Sequence, residues 1–274
     1  MILRGLESCA NGMLALMDAN DNTANNLANV NTVGYKKGSI KFKDIMESAV
    51  CTQSESVLRN DTSRYLGDLS VGSASFEFTH DFSQGALNQT DNPYDVAIEG
   101  DGFFKIQDVD GRNYYTRNGS FTRNDQDYLV TKQGEYVLDI NNRRIRMIPE
   151  DLDPDLVRDK VQIIIGEKGM IEMNAGMQKI PMQTIGVWDF SHKDDLFEIS
   201  DTRFIPKTPE ENPELRSEKF VLQQGMLELS NTNVIKEMIN TISTQRNYES
   251  LARLVSANSE LLDSAVALGR IRSS

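Results

Sequence analysis

Two helical apolar patterns at opposite ends of the chain constrain what it can fold into. Leu3, Leu6, Ala10, Met13, Met17, Asn20, Ala24 and Leu27 recur at spacings of three and four, a heptad seam that needs a partner helix to cover it. The seam is rich in small and flexible residues, and Asn20 interrupts it. A polar residue there costs stability and sets register and partner. An amphipathic helix packed on its own domain is the plainer alternative. From Ser230 to Ile271 there is no proline, and Gly269 is the sole glycine. Met238, Ile242, Gln245, Tyr248, Leu251, Val255 and Leu262 lie there at helical spacing. The pattern predicts a helix of about 35 to 40 residues, roughly 55 Å long. That length without internal caps points to a coiled coil or a filament.

The first helix runs into Ala24-Asn25-Asn26-Leu27-Ala28-Asn29, then Asn31-Thr32-Val33-Gly34-Tyr35-Lys36. Asn25, Asn26 and Asn29 prefer caps and turns to helix interiors. Thr32-Val33-Gly34 is expected to break the helix, with Gly34 free to take positive φ. This string resembles the signature of the bacterial flagellar rod and hook protein family, in which ANNLAN is followed by a threonine, a glycine, an aromatic and a lysine. The resemblance implies that the N-terminal helix pairs with a C-terminal one. The far end bears the complement: Leu227-Glu228-Leu229-Ser230-Asn231-Thr232-Asn233-Val234, then Glu237-Met238 and Gln245-Arg246-Asn247-Tyr248-Glu249, resemble the family's C-terminal signature.

Between the ends the sequence reads as strands. The segment Phe82-Ser83-Gln84-Gly85-Ala86-Leu87-Asn88 returns as Leu222-Gln223-Gln224-Gly225-Met226-Leu227-Glu228. Two like segments flanking a block suggest that the chain enters and leaves it side by side, with the glycines permitting close backbone approach. Inside the block, turns recur about every ten residues, the pattern of an all-β meander or barrel-like domain. Asp95 to Leu138, with its Gly-Phe-Phe and Tyr-Thr-Arg-Asn-Gly-Ser-Phe elements, again resembles the rod and hook family. Trp188 is expected to be a core or domain-edge anchor. The acidic, proline-bearing stretches 151–159 and 206–214 read as loops.

The fold expectation is therefore α+β: terminal helices paired as a coiled-coil stalk, with an inserted β domain. The expected divisions are an N-terminal helix over 1–35, an extended connector over 36–68, a β-rich domain over 69–224 and a C-terminal helix over 225–274. At 274 residues the chain has room for one sizeable domain plus extensions. A formal charge of -12 argues against nucleic acid and anionic membranes as partners. No run of 18 apolar residues exists to span a membrane, and the N-terminus lacks the pattern of a cleaved secretory signal. Cys9 and Cys51 offer neither a disulfide framework nor metal spacing.

The sequence offers little for catalysis. His80 and His192 are the only histidines and sit in unrelated contexts, so a histidine triad or a histidine-rich metal site has almost no material. Asp108-Val109-Asp110-Gly111 mimics part of a calcium loop, but Gly119 stands where an EF-hand needs its glutamate. Gly100-Asp101-Gly102 lacks the remainder of a dinucleotide loop. No enzyme activity, cofactor or metal is expected.

The resemblance implies a structural subunit of the flagellar basal-body rod, exported by the flagellar type III apparatus and polymerising through its terminal helices into a torque-bearing shaft. The partners implied are copies of itself, other rod and hook subunits, the export apparatus and surrounding ring proteins. The 34 residues between Ser48 and Ser83 are enough to hold the extra extended stretch that the resemblance associates with distal-rod proteins, which tilts the reading to the distal rod, with the proximal rod as the alternative. The residues expected to carry assembly are Leu6, Met13, Met17, Asn20, Asn25, Asn26, Leu27, Asn29, Gly34 and Tyr35. At the other end they are Met238, Ile242, Gln245, Tyr248, Leu251, Val255 and Leu262. The resemblance further implies an export-gate element, a Phe followed four residues on by an apolar residue; Phe42 and Met46 fit that spacing, as would two residues packing under a loop. The rivals are a soluble chaperone or adaptor with a helical hairpin and, further off, a glycan hydrolase of the cell wall.

Overall fold

The computed structural model describes residues 2–44, 47–52, 64–70, 73–148, 161–175, 178–200 and 202–271. The chain forms two compact units. One comprises Met1–Leu27, Gly38–Thr79 and Asn233–Ser274; the other comprises Ala28–Lys37 and His80–Thr232.

The first unit is built on two helices. Helix α1 spans Ile2–Ala28 and α2 spans Val234–Ile271, 38 residues long. The α2 start is capped: Asn233 Oδ1 accepts the Lys236 N–H at 3.1 Å, satisfying one of the helix's open donors. At Gly12 of α1, an added Cβ would come 3.2 Å from Leu251 Cδ1 of α2, so the missing side chain lets the two helices approach there. The same unit holds strands β1 (Gly38–Asp44), β2 (Glu47–Thr52), β3 (Arg64–Ser70) and β4 (Ser73–His80). β1 pairs with β4, and β2 runs antiparallel to β3. Strands thus begin at Gly38, within the stretch 36–68 read from the sequence as an extended connector. The first strand, Gly-Ser-Ile-Lys-Phe-Lys-Asp, alternates apolar and charged residues over too few positions to stand out.

Among its described residues the second unit is built mainly of strands, with one 3-10 turn at Lys193–Asp195. In chain order its strands are β5 (Leu87–Gln89), β6 (Val96–Gly100), β7 (Phe103–Gln107), β8 (Asn113–Thr116), β9 (Phe121–Arg123), β10 (Leu129–Thr131) and β11 (Tyr136–Val137). They continue with β12 (Val161–Ile165), β13 (Met170–Ala175), β14 (Gln178–Thr184), β15 (Val187–Asp189) and β16 (Leu196–Ser200). The last are β17 (Arg203–Pro206), β18 (Leu215–Arg216), β19 (Phe220–Gln224) and β20 (Met226–Glu228). The main sheet runs in the order β16-β17-β8-β7-β11-β10-β9, with β15 also pairing β7 and carrying β18. A three-stranded meander, β12-β13-β14, stands beside it.

Two apolar clusters hold this unit. The larger gathers Val96, Ile98, Phe104, Phe121, Leu129, Ile145, Met147 and Ile185, all essentially inaccessible. The smaller surrounds Phe103 and Phe204 with Tyr115, Trp188, Phe190 and Leu196, its rings meeting edge to face, as in Phe82–Phe103 at 5.5 Å and Tyr115–Phe190 at 4.8 Å. Trp188 is the anchor its solitary apolar setting suggested.

The repeated segments pair with the chain around them in the expected way. β20 runs antiparallel to β5, with Leu227 opposite Asn88 and Glu228 opposite Leu87. At Gly85 an added Cβ would fall 2.0 Å from the Leu229 carbonyl oxygen, so only glycine permits that approach.

Candidate assembly site

In the first unit, the apolar residues of α2 divide between two faces. Tyr248, Leu251, Val255 and Leu262 are half-buried, whereas Met238 and Ile242 are more than half exposed and Gln245 is exposed. The single seam suggested by the spacing is therefore not formed. Between Met238 and Tyr248 the helix turns almost three times, and at 3.6 residues per turn the later group lies away from the earlier one. On α1, Leu6, Met13 and Leu27 are half-buried, and Met17 and Asn20 are exposed. A cleft of about 340 Å³ opens between the helices, lined by Met17, Asn20, Gln245 and Tyr248 together with Leu16, Asp21, Thr241 and Thr244. Four residues selected from the sequence thus meet in one place.

The Asn26 side chain reaches past the helix end to the chain that follows it. Asn26 is fully buried; its Nδ2 donates to the Gly38 carbonyl and its Oδ1 accepts the Gly38 N–H, both at 2.9 Å. Asn22 Nδ2 donates to the same carbonyl at 2.9 Å. One side-chain amide therefore completes both backbone groups of the first residue of β1, as a neighbouring strand would. Asn25 is exposed on α1. Helix α1 stops at Ala28, before the Gly34 at which a break was expected.

In the second unit, the turn after α1 is stitched to two other passages of chain. Asn29 O accepts the Thr32 N–H at 3.1 Å, and Asn29 Oδ1 accepts the Thr32 hydroxyl at 3.1 Å. Gly34 adopts φ +71, and its N–H donates to the Glu228 carbonyl at 2.8 Å. Tyr35 is buried. The Lys37 N–H donates to Asn231 Oδ1 at 2.8 Å, while Asn231 Nδ2 donates to the Asp81 carbonyl at 2.7 Å. Asp81 N–H closes the circuit on the Lys37 carbonyl at 2.8 Å.

At the centre of this junction lies a buried charge cluster. Lys36 Nζ donates to Glu228 Oε1 at 2.6 Å and to the Ser83 carbonyl at 2.8 Å. Arg117 Nη1 reaches Glu228 Oε2 at 3.3 Å and Nη2 donates to the Gly100 carbonyl at 2.8 Å. The Gly85 N–H adds a third donor to the carboxylate at 2.9 Å. Burial pushes the Lys36 ammonium below its ordinary value, against the opposing pull of Glu228. His80, also buried, lies with Nδ1 3.3 Å from the Lys36 carbonyl. That oxygen can only accept, so Nδ1 carries the proton. Burial also lowers the His80 pKa.

Sequence reasoning did not single out Lys36, Arg117 or Glu228 for a role. Each lay inside a noticed motif, and the available signal was a formal charge within an otherwise apolar or amide-rich string. Phe42 falls within β1, and Met46 lies outside the described residues, as does the stretch 151–159.

Three family models match the chain in order: a flagella basal body rod protein segment over residues 7–36, the flagellar hook protein FlgE/F/G D1 domain over 97–173, and the flagellar basal body rod FlgEFG protein C-terminal segment over 223–268. The chain is 33% identical over 279 residues to the flagellar basal-body rod protein FlgG of Borreliella burgdorferi, covering 98% of this chain and 100% of the relative. The chain belongs to the flagellar basal-body rod protein family. It is also 29% identical to FlgG of Bacillus subtilis over 98% of this chain and the whole of that protein. With the rod protein FlgF of Caulobacter vibrioides it shares 33% identity over 92% of each. The family is a structural one. Lys36 falls in the matched N-terminal segment, Arg117 in the D1 domain and Glu228 in the C-terminal segment. Among the described residues, no group of three or more histidine, cysteine or acidic side chains is placed to hold a metal ion. No helix among them is long and apolar enough to cross a membrane.

Proposed function

We propose that this protein polymerises through α1 and α2, paired as a coiled-coil stalk, into the helical shaft of the flagellar rod, and that the shaft transmits torque. The observation that carries this reading is the two-faced α2. Besides its half-buried row, it exposes Ile235, Met238, Ile239 and Ile242, each between 51% and 70% accessible. A row of large aliphatic side chains on one helix face is costly to leave in water, and neighbouring subunits in a filament would cover it. A contact between unlike surfaces that does not close builds an open helical polymer.

The distal rod is the position we favour, with neighbouring rod and hook subunits as partners, delivery by the flagellar type III apparatus and the surrounding rings as further contacts. Phe42 and Met46 remain the proposed export element. The test is to purify basal bodies from cells carrying a tagged copy and to image the tag. A tag in the rod supports the reading, and one found only in the soluble fraction would end it. Hydrogen exchange on the free subunit adds a second check: assembly-coupled folding expects the ends of α1 and α2 to exchange quickly in the monomer.

A further inference from the structure

The cleft and the exposed strip of α2 are different surfaces of the same unit. The strip of Ile235, Met238, Ile239 and Ile242 shares no residue with the cleft and is centred roughly a third of a turn around the helix from its lining residues Thr241, Thr244, Gln245 and Tyr248. Both span seven residue steps of α2, Ile235 to Ile242 and Thr241 to Tyr248, roughly 10 Å each at the helical rise. The cleft, at about 340 Å³, is of a size that takes side chains, and its wall includes Leu16 and the half-exposed Met17.

The charges beside them are opposite. From Gly5 to Ala28, α1 has no lysine or arginine, and its acidic residues are Glu7, Asp18 and Asp21. Asp21 is exposed at the cleft. Lys236, also exposed, flanks the strip. We propose that the strip Ile235–Ile242 of one copy docks in the α1–α2 cleft of the next, with Lys236 of the strip meeting Asp21 at the cleft. This rests on the rod-subunit reading and adds to it the two surfaces and the polarity of the contact. Because strip and cleft do not coincide, each copy keeps a free strip and a free cleft after docking one neighbour. The contact therefore propagates instead of closing on a two-fold axis.

The test is disulfide trapping in assembled basal bodies, using the full chain with Cys9 and Cys51 changed to serine. The pair Met17→Cys and Ile239→Cys, in one chain, should give a ladder of linked subunits on mild oxidation, and either substitution alone should give none. Dimers from Ile239→Cys alone would mean that strip meets strip, which overturns the proposal. Asp21→Lys or Lys236→Asp alone should lower the assembled amount several-fold, and the two together should restore it to within about two-fold of the parent. Failure of the double reversal to rescue would equally overturn it. Absence of the parent chain from purified basal bodies would instead overturn the rod reading itself. Its presence there without a ladder from the cysteine pair would remove only the strip-in-cleft contact.

Discussion

Lys36 Nζ and Glu228 Oε1 meet at 2.6 Å across 192 residues of chain, with both side chains almost wholly removed from water. That one contact ties the turn after the first helix to the last strand before the second. Its carboxylate also faces Arg117 and the Gly85 N–H, so removing Glu228 strands two cations and a donor together. Glu228→Ala is expected to lower the stability of the β unit by about 3–5 kcal/mol, the usual cost of breaking a buried pair from one side. Urea unfolding followed by Trp188 fluorescence measures it, and a loss below about 1 kcal/mol would show the cluster to be hydrated or relaxed.

Asn26 offers the second prediction. Asn26→Ala leaves the N–H and carbonyl of Gly38 without their amide partner, although Asn22 still reaches the carbonyl. A cost of about 2 kcal/mol is expected, because an unsatisfied buried donor carries its full desolvation penalty. Asn25→Ala, at an exposed position, should cost less than half as much. Equal losses in thermal unfolding would remove the special role given to Asn26.

Gly34 should tolerate no side chain. A Cβ there would lie 2.4 Å from the Asn118 backbone nitrogen, at φ +71. The collision is with backbone and begins at the first carbon. Gly34→Ala and Gly34→Val should therefore both destabilise by more than about 3 kcal/mol, above the roughly 1–3 that φ strain alone would give. A Gly34→Ala protein as stable as the parent in the same urea titration would contradict this packing.

His80 sets a pH dependence. Its folded pKa lies below the ordinary 6.5 because burial disfavours the imidazolium; the contact with the Lys36 carbonyl opposes this and the Lys207 charge reinforces it. Glu198, 3.6 Å from Nε2, does not reverse the effect of burial. The unfolded chain therefore binds more protons than the folded one as pH falls through 6.5. Stability from this group is present above that pH and lost on descending towards the folded pKa. Comparing urea midpoints at about pH 7.5 and 5.5, the parent should lose more than His80→Gln, since most carboxylates stay ionised across that interval. Equal losses would place the histidine outside the linkage.

Local pattern and local chemistry were legible without coordinates. The length of α2 followed from unbroken helical periodicity, and the positive φ of Gly34 from the need to turn the chain. The side-by-side passage of the repeated segments followed from their likeness and their glycines. Periodicity reports which residues are apolar in a stretch, but not which of several faces of a long helix a neighbour will cover. Hence the apolar residues of α2 read as one seam, although Met238 and Ile242 stand on a different face from Tyr248 and Leu251. Composition likewise gives the charges of Lys36, Arg117 and Glu228 without showing that they converge. Only the tertiary structure decided that, because a buried ion pair is defined by what surrounds it, and its partners lie on segments far apart in sequence. Asn26 shows the same division: the sequence marks a polar residue near a helix end, while the fold brings Gly38 within reach and turns a candidate cap into a substitute for a strand.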